Sequence, residues 1–217
     1  DMDDRLNKQL EKLQTDYIDY YLLHALNDKH WDIYKKLDVF TWIPEKIKEG
    51  KIKFIGFSFH DDYDLFKEII DAYDWDFTQI QYNYVDTEFQ AGTKGLRLAH
   101  SKGIANIVME PIRGGQLGWD PPEKVKEIWN KAEKKRTPAD WALQWCWNQP
   151  EVGTVLSGMS NMQQVKENIE SADNSGVGIL SSHDLELIEQ VSKEIQGPVG
   201  CTGCNYCMPC PYDVNIP

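Results

Sequence analysis

The chain has 217 residues, 41% of them hydrophobic, with 35 acidic against 23 basic side chains and a formal charge of −12. This is enough for one packed domain with a small appendage, and the acidic balance, with its basic residues scattered rather than clustered, excludes a nucleic-acid partner. No apolar run approaches the roughly 20 residues of a membrane span, and the opening DMDDRLNKQL lacks the order of a secretory signal, so no membrane partner and a soluble, cytoplasmic setting are expected.

In chain order, Leu6 to Leu13 reads as a helix and Tyr17 to Leu23 as a buried strand. Val39 to Glu49 is expected to be a helix kinked or restarted at Pro44, with Gly50 in the C-terminal cap position. The run at 51–57 is a second strand, followed by a helix carrying Leu65, Phe66, Ile69 and Ile70 on one face. Phe77 to Tyr82 is a third strand, Gly92 to Ser101 a helix, and Ile104 to Met109 a fourth strand. Helices follow at Pro121 to Lys134 and Pro138 to Asn148, then a fifth strand at Val152 to Leu156. Two last helices, Met162 to Ala172 and His183 to Ile195, have caps available at Asn161 and Ser182.

Strand and helix in alternation predict an α/β fold with a parallel sheet and helical crossovers. No G-x-G-x-x-G lies between a strand and a helix, which disfavours the open dinucleotide-binding sheet and leaves the (β/α)8 TIM barrel. In a barrel the site lies at the C-terminal strand ends, here His24, Ser58, Gln79 to Asn83, Glu110 with Pro111, and Ser157 with Gly158. A histidine after an apolar strand is more often structural than catalytic, and a serine there is ordinary turn chemistry. Five polar ends in succession nonetheless predict a ligand site. Cys146, alone in the apolar stretch WALQWCWN, reads as a small buried hydrophobe.

The segments LQTDYIDYYLLHAL (13–26), EGKIKFIGFSFH (49–60), QIQYNYVD (79–86), GIANIVMEPIRGGQL (103–117), TPADWALQW (137–145) and VLSGMSNMQQVKENI (155–169) resemble, in order, those of the aldo-keto reductase family. The resemblance implies reduction of a small-molecule carbonyl, or oxidation of an alcohol, with NADP or NAD. His24 would orient the substrate oxygen, and Ser58 and Gln79 would hold the nicotinamide carboxamide. Glu110, Pro111, Gly114 and Gly115 would let backbone approach the pyrophosphate. Ser160, Gln164, Glu167 and Asn168 would line the adenosine end, where a helix start offers backbone donors to phosphate. Taken alone, that last segment is a plain capped helix.

Three positions depart from the family pattern. Phe59 replaces the asparagine that usually follows the carboxamide-binding serine, Met109 stands where many members place an aromatic ring, and Gln164 replaces an arginine that often pairs with a 2′-phosphate. The family's catalytic aspartate, tyrosine and lysine belong to strands preceding the region that Leu6 opens. About five of eight βα units are expected here, so the chain reads as a C-terminal fragment, inactive by itself.

Residues 1–196 are accordingly expected to form the partial barrel, and 197–217 the start of a ferredoxin-like module. Cys201, Cys204, Cys207 and Cys210, followed by Pro211, make C-x2-C-x2-C-x2-C-P, close to the ferredoxin run that holds a 4Fe-4S cluster. Zinc is the alternative ligand, although structural zinc sites usually separate two C-x2-C pairs by a longer stretch. The run also resembles the tail of iron-sulfur-containing aldo-keto reductases, and a cluster implies an electron-transfer partner. Two other readings remain open: a non-catalytic nucleotide-binding subunit, and an electron-transfer protein whose barrel only carries the cluster.

Overall fold

β-Branched and aromatic runs produce the strands, and the pleat then assigns their side chains to two faces. The structure, a computed structural model, describes residues 1–196, and the cysteine run from Cys201 to Cys210 lies outside the described residues. Strands β1 (Ile18–Leu26), β2 (Ile52–Phe59), β3 (Phe77–Gln81), β4 (Ala105–Met109) and β5 (Thr154–Val155) follow one another across a single sheet, each pair parallel. Helices intervene: α1 (Met2–Leu13), α2 (Asp28–Lys36), α3 (Val39–Lys48), α4 (Tyr63–Ala72), α5 (Gly92–Ser101), α6 (Glu123–Trp129), α7 (Pro138–Trp147), α8 (Met162–Asp173) and α9 (Ser182–Gln196). The expected α/β alternation is therefore present.

The chain forms two compact units. The first comprises Asp1–Tyr82, Glu88–Met109 and Pro150–Leu156, and the second Asn83–Thr87, Glu110–Gln149 and the described residues from Ser157 onward. In the first, Ile55, Phe57 and Phe59 of β2, Ile80 of β3 and Val108 of β4 are buried on one face of the sheet. Phe66 of α4 meets Phe59 and Phe57 edge-on or tilted, at 5.0 and 5.8 Å between ring centroids. On the other face the register sets Tyr20 beside Phe54, Gly56 beside Phe77, and Ser58 beside Gln79. Tyr20 and Phe54 stack at 5.1 Å and stay exposed.

Several boundaries differ from expectation for local reasons. Helix α3 runs unbroken through Pro44 and ends where Gly50, at φ +75°, donates to the Ile47 carbonyl while Lys51 donates to that of Lys46. β1 extends past Leu23 to Leu26, β5 is reduced to two residues, and α6 stops at Trp129. Helix α2 and a 3-10 segment at Arg113–Gly118 were not expected. The anticipated cap at Ser182 is provided by Ser181 instead: its hydroxyl accepts the Asp184 amide at 3.0 Å, while the Asp184 carboxylate accepts the Ser181 amide at 3.1 Å.

In the second unit Trp129 and Trp141 stack at 4.5 Å with planes 8° apart, in a core with Leu187, Ile188 and Val191 of α9. Cys146 is fully buried and its burial pushes the thiol up, as befits an inert core residue. Among the described residues no helix is long and apolar enough to cross a membrane.

Gly56 is the tightest position in the sheet: a Cβ there would lie 2.4 Å from the Phe77 carbonyl oxygen and 2.6 Å from its ring. Since neither backbone nor buried ring can yield, Gly56→Ala is expected to destabilise the fold by about 1–3 kcal/mol or more. Thermal or denaturant unfolding checks this, and an unchanged midpoint would refute the close approach.

Candidate active site

The C-terminal end of β1 is irregular. Leu23 pairs with Phe57 and Leu26 with Phe59, so His24 and Ala25 together oppose the single residue Ser58. This is a β-bulge, and Ala25 takes φ +52° within it. A left-handed alanine costs about 1–2 kcal/mol and persists only where its surroundings over-determine it. Here they do: the Ala25 amide donates to Ser58 Oγ at 2.7 Å, and the Ala25 carbonyl accepts from His30 Nδ1 at 2.7 Å. His24 itself is exposed and borders a cavity of about 290 Å³ with Arg5, Tyr21, His30 and Tyr34.

Ser58 is buried, and because its oxygen accepts from Ala25, its own proton is left to donate to something else. Beside it on β3, Gln79 is half-buried and donates to the Met109 sulfur at 3.4 Å. His24, Ser58 and Gln79 thus occupy the ends of three adjacent parallel strands. Phe59, by contrast, is fully buried on the opposite face against Phe66, so it offers nothing on the Ser58 side.

In the second unit a buried network shapes the segment that starts at Glu110. Asn83, fully buried, accepts the Val85 and Asp86 amides through Oδ1 and donates through Nδ2 to Asp86 at 3.1 Å and to the Glu110 carbonyl at 3.2 Å. Asp86 pairs with Arg113 at 3.3 Å, both nearly inaccessible. Glu110 and Arg113 are left-handed at φ +57° and +50°, as are Gly114 at +61° and Gly115 at +97°. Pro111 is buried, whereas Gly114 is exposed, and a Cβ on it would meet only the Glu110 carboxylate within 4 Å.

At α8, Asn161 caps the helix by accepting the Gln164 amide at 2.9 Å. The Gln164 side chain turns back to accept from the Ser160 amide at 2.8 Å and its hydroxyl at 3.1 Å, and Asn168 donates to Ser157 at 2.9 Å. Gln164 and Asn168 therefore share a face of α8, and Ser160, just ahead of the helix, is tied to it through Gln164. Glu167 accepts from Gln163 and borders a different hollow, with Lys134, Arg136 and Asp140. The structure does not bring it to the other three.

Residues 1–193 match the aldo/keto reductase family, and the chain belongs to it. Among its relatives, L-galactose dehydrogenase of Arabidopsis thaliana is 27% identical over 217 residues, covering 90% of this chain and 66% of that protein. The NADH-specific methylglyoxal reductase of Escherichia coli K12 is 24% identical, covering 86% of this chain and 63% of its own length. The solved holo form of aldo-keto reductase AKR11C1 from Bacillus halodurans shares the fold, with a TM-score of 0.70 at 24% identity, covering 88% of this chain and 66% of that one. The chain thus spans just under two thirds of these relatives.

Ala25, His30, Asp86 and Arg113 carry no strong mark of a functional role in the sequence pattern. Only the Asn83-x-x-Asp86 spacing, a turn signal, and Asn27 as a helix cap pointed toward them. Because Asp86→Ala would remove a buried carboxylate that faces Arg113 and accepts from Asn83, it is expected to cost about 1–3 kcal/mol. Denaturant unfolding measures this, and a loss below about 1 kcal/mol would mean that the pair contributes little.

Proposed function

We propose that the chain is part of a longer NAD(P)(H)-dependent oxidoreductase acting on a small carbonyl or alcohol, with residues 1–196 forming part of its barrel. The observation that carries this reading is the row His24, Ser58 and Gln79 at the ends of three parallel strands, the serine proton free to meet an acceptor. Membership of the family supports it, as do a relative named for methylglyoxal and NADH and another named a dehydrogenase.

The donors of the first unit would suit the carboxamide end of a nicotinamide nucleotide. Ser58 would donate to a carboxamide oxygen, and the Gln79 side-chain amide would complete the contact. The left-handed turn at Gly114 and Gly115, held from below by Asn83 and the Asp86–Arg113 pair, would admit phosphate oxygens to backbone amides, with Glu110 and Pro111 leading into it. Ser160, Gln164 and Asn168, with the start of α8, would receive the adenosine side. We place Glu167 outside this group, since its hydrogen bond and its hollow lie elsewhere. When bound, the nicotinamide supplies or accepts the hydride. His24 would hold the substrate oxygen while charge develops on it.

The cysteine run supports a further proposal. Four thiolates at C-x2-C-x2-C-x2-C-P suit a 4Fe-4S cluster on residues 197–217, with zinc the alternative. Anaerobic purification with iron and sulfide analysis decides between them. A brown protein with iron and sulfide in equal amounts is expected, and a colourless zinc protein would contradict the cluster.

For the nucleotide site, NADPH and NADH binding by fluorescence and methylglyoxal-dependent oxidation of either should be measured on the longer protein. His24→Ala is expected to lower turnover about 10²–10⁴-fold with little change in nucleotide affinity. Ser58→Ala should weaken nucleotide binding about three- to tenfold. Equal loss of binding and turnover in His24→Ala would remove His24 from the chemistry, and binding without turnover in the wild type would make the protein a nucleotide-binding subunit instead.

A further inference from the structure

His30 and Tyr34 stand four residues apart on α2 and so share a face of that helix. Both line the cavity that His24 borders. His30 Nδ1 lies 2.7 Å from the Ala25 carbonyl. From the neighbouring strand, Ser58 Oγ takes the Ala25 amide. Side chains therefore hold both peptide planes that flank the Ala25 Cα, which fixes its φ and ψ together.

The helix that supplies His30 is itself anchored. Asn27 caps it by accepting the His30 amide at 2.9 Å, and the Asp28 amide donates to Asp61 at 2.9 Å. Trp31, 1% exposed, donates from its indole to Glu68 of α4 at 2.7 Å. His30 is thereby delivered from a docked first turn rather than from a free loop. Its bond to a carbonyl requires that Nδ1 carry the proton. Burial raises the pKa of the Tyr34 hydroxyl against the lowering influence of the His24 backbone and Arg5.

We propose that α2 is a positioning element for His24, with His30 its principal group: the imidazole N–H locks the left-handed Ala25 and so sets where the adjoining His24 side chain stands. This rests on the assignment of His24 as the group that orients the substrate oxygen. His30 does not touch the reacting atoms; it acts only through the bulge. A displacement of His24 by about an ångström would suffice to slow the reaction up to a hundredfold while leaving the nucleotide contacts of Gln79 in place.

The test uses His30→Ala and His30→Asn, the latter because an asparagine amide can present an N–H near the place of Nδ1. Turnover is followed with methylglyoxal and NADPH or NADH, nucleotide affinity by fluorescence, and the His24 ring by its resonance in protein labelled with carbon-13 histidine. His30→Ala is expected to lower kcat about ten- to a hundredfold with nucleotide affinity and thermal midpoint nearly unchanged, and to shift or broaden the His24 resonance. His30→Asn should restore most of both. An unmoved His24 resonance in His30→Ala, or an asparagine variant no better than the alanine one, would overturn the proposal. Should the wild type bind neither nucleotide, the functional assignment fails by itself, and the His24 resonance still decides whether α2 positions that ring.

Discussion

Because side chains alternate along a strand, a slip of β2 by one residue against its neighbours would carry Ser58 to the helix-covered face and turn Phe57 and Phe59 outward. The register pairing Leu22 with Gly56 and Ser58 with Gln79 prevents this, and it is enforced from the covered side. Phe57, Phe59 and Phe66 form edge-on and tilted ring contacts that an offset strand could not make. Burying each such ring contributes on the order of 1.5–3 kcal/mol, about twice a typical neutral hydrogen bond. On the other face the Phe77 ring lies over Gly56, where only a glycine leaves room. The apolar packing thus places the polar row, and the polar groups add direction.

That direction comes from one local irregularity. A regular β1 would carry its ladder bonds to β2 through His24 and Ala25, whereas the bulge replaces them there with bonds to the side chains of Ser58 and His30 before pairing resumes at Leu26. One consequence links two chemistries. The hydroxyl that fixes the bulge is the same one that has a proton left for a ligand, so the geometry at His24 and the donor at Ser58 are set by a single contact. In the second unit an analogous economy operates at Asn83, whose amide closes its own turn and also fixes the Glu110 carbonyl that opens the glycine segment.

Much of this was legible in the sequence because it depends on patterns with fixed periods. The strands at Phe77 and Ala105, the helix capped at Asn161, and the polar ends His24, Ser58 and Gln79 all follow from apolar runs and the residues that close them. The family resemblance rested on six ordered segments, and the match over residues 1–193 bears it out. Helix α2 escaped notice because DKHWDIYKK is mostly polar, with Trp31 as its one fully buried anchor. The left-handed Ala25 and Glu110 were illegible for a different reason: neither residue type favours that conformation, which tertiary bonds impose. Pro44 allowed for a restart that does not occur, because α3 continues through it from Val39 to Lys48.

The central claim is that Ser58 and Gln79 together receive the carboxamide of a nicotinamide nucleotide. Its most direct test is a crystal structure of the longer protein soaked with NADP or NAD. The account predicts the carboxamide oxygen within hydrogen-bonding distance of Ser58 Oγ and the carboxamide group in contact with the Gln79 side chain, with the Ala25 amide still bonded to Ser58. A nucleotide seated elsewhere, or a carboxamide touching neither side chain, would contradict it.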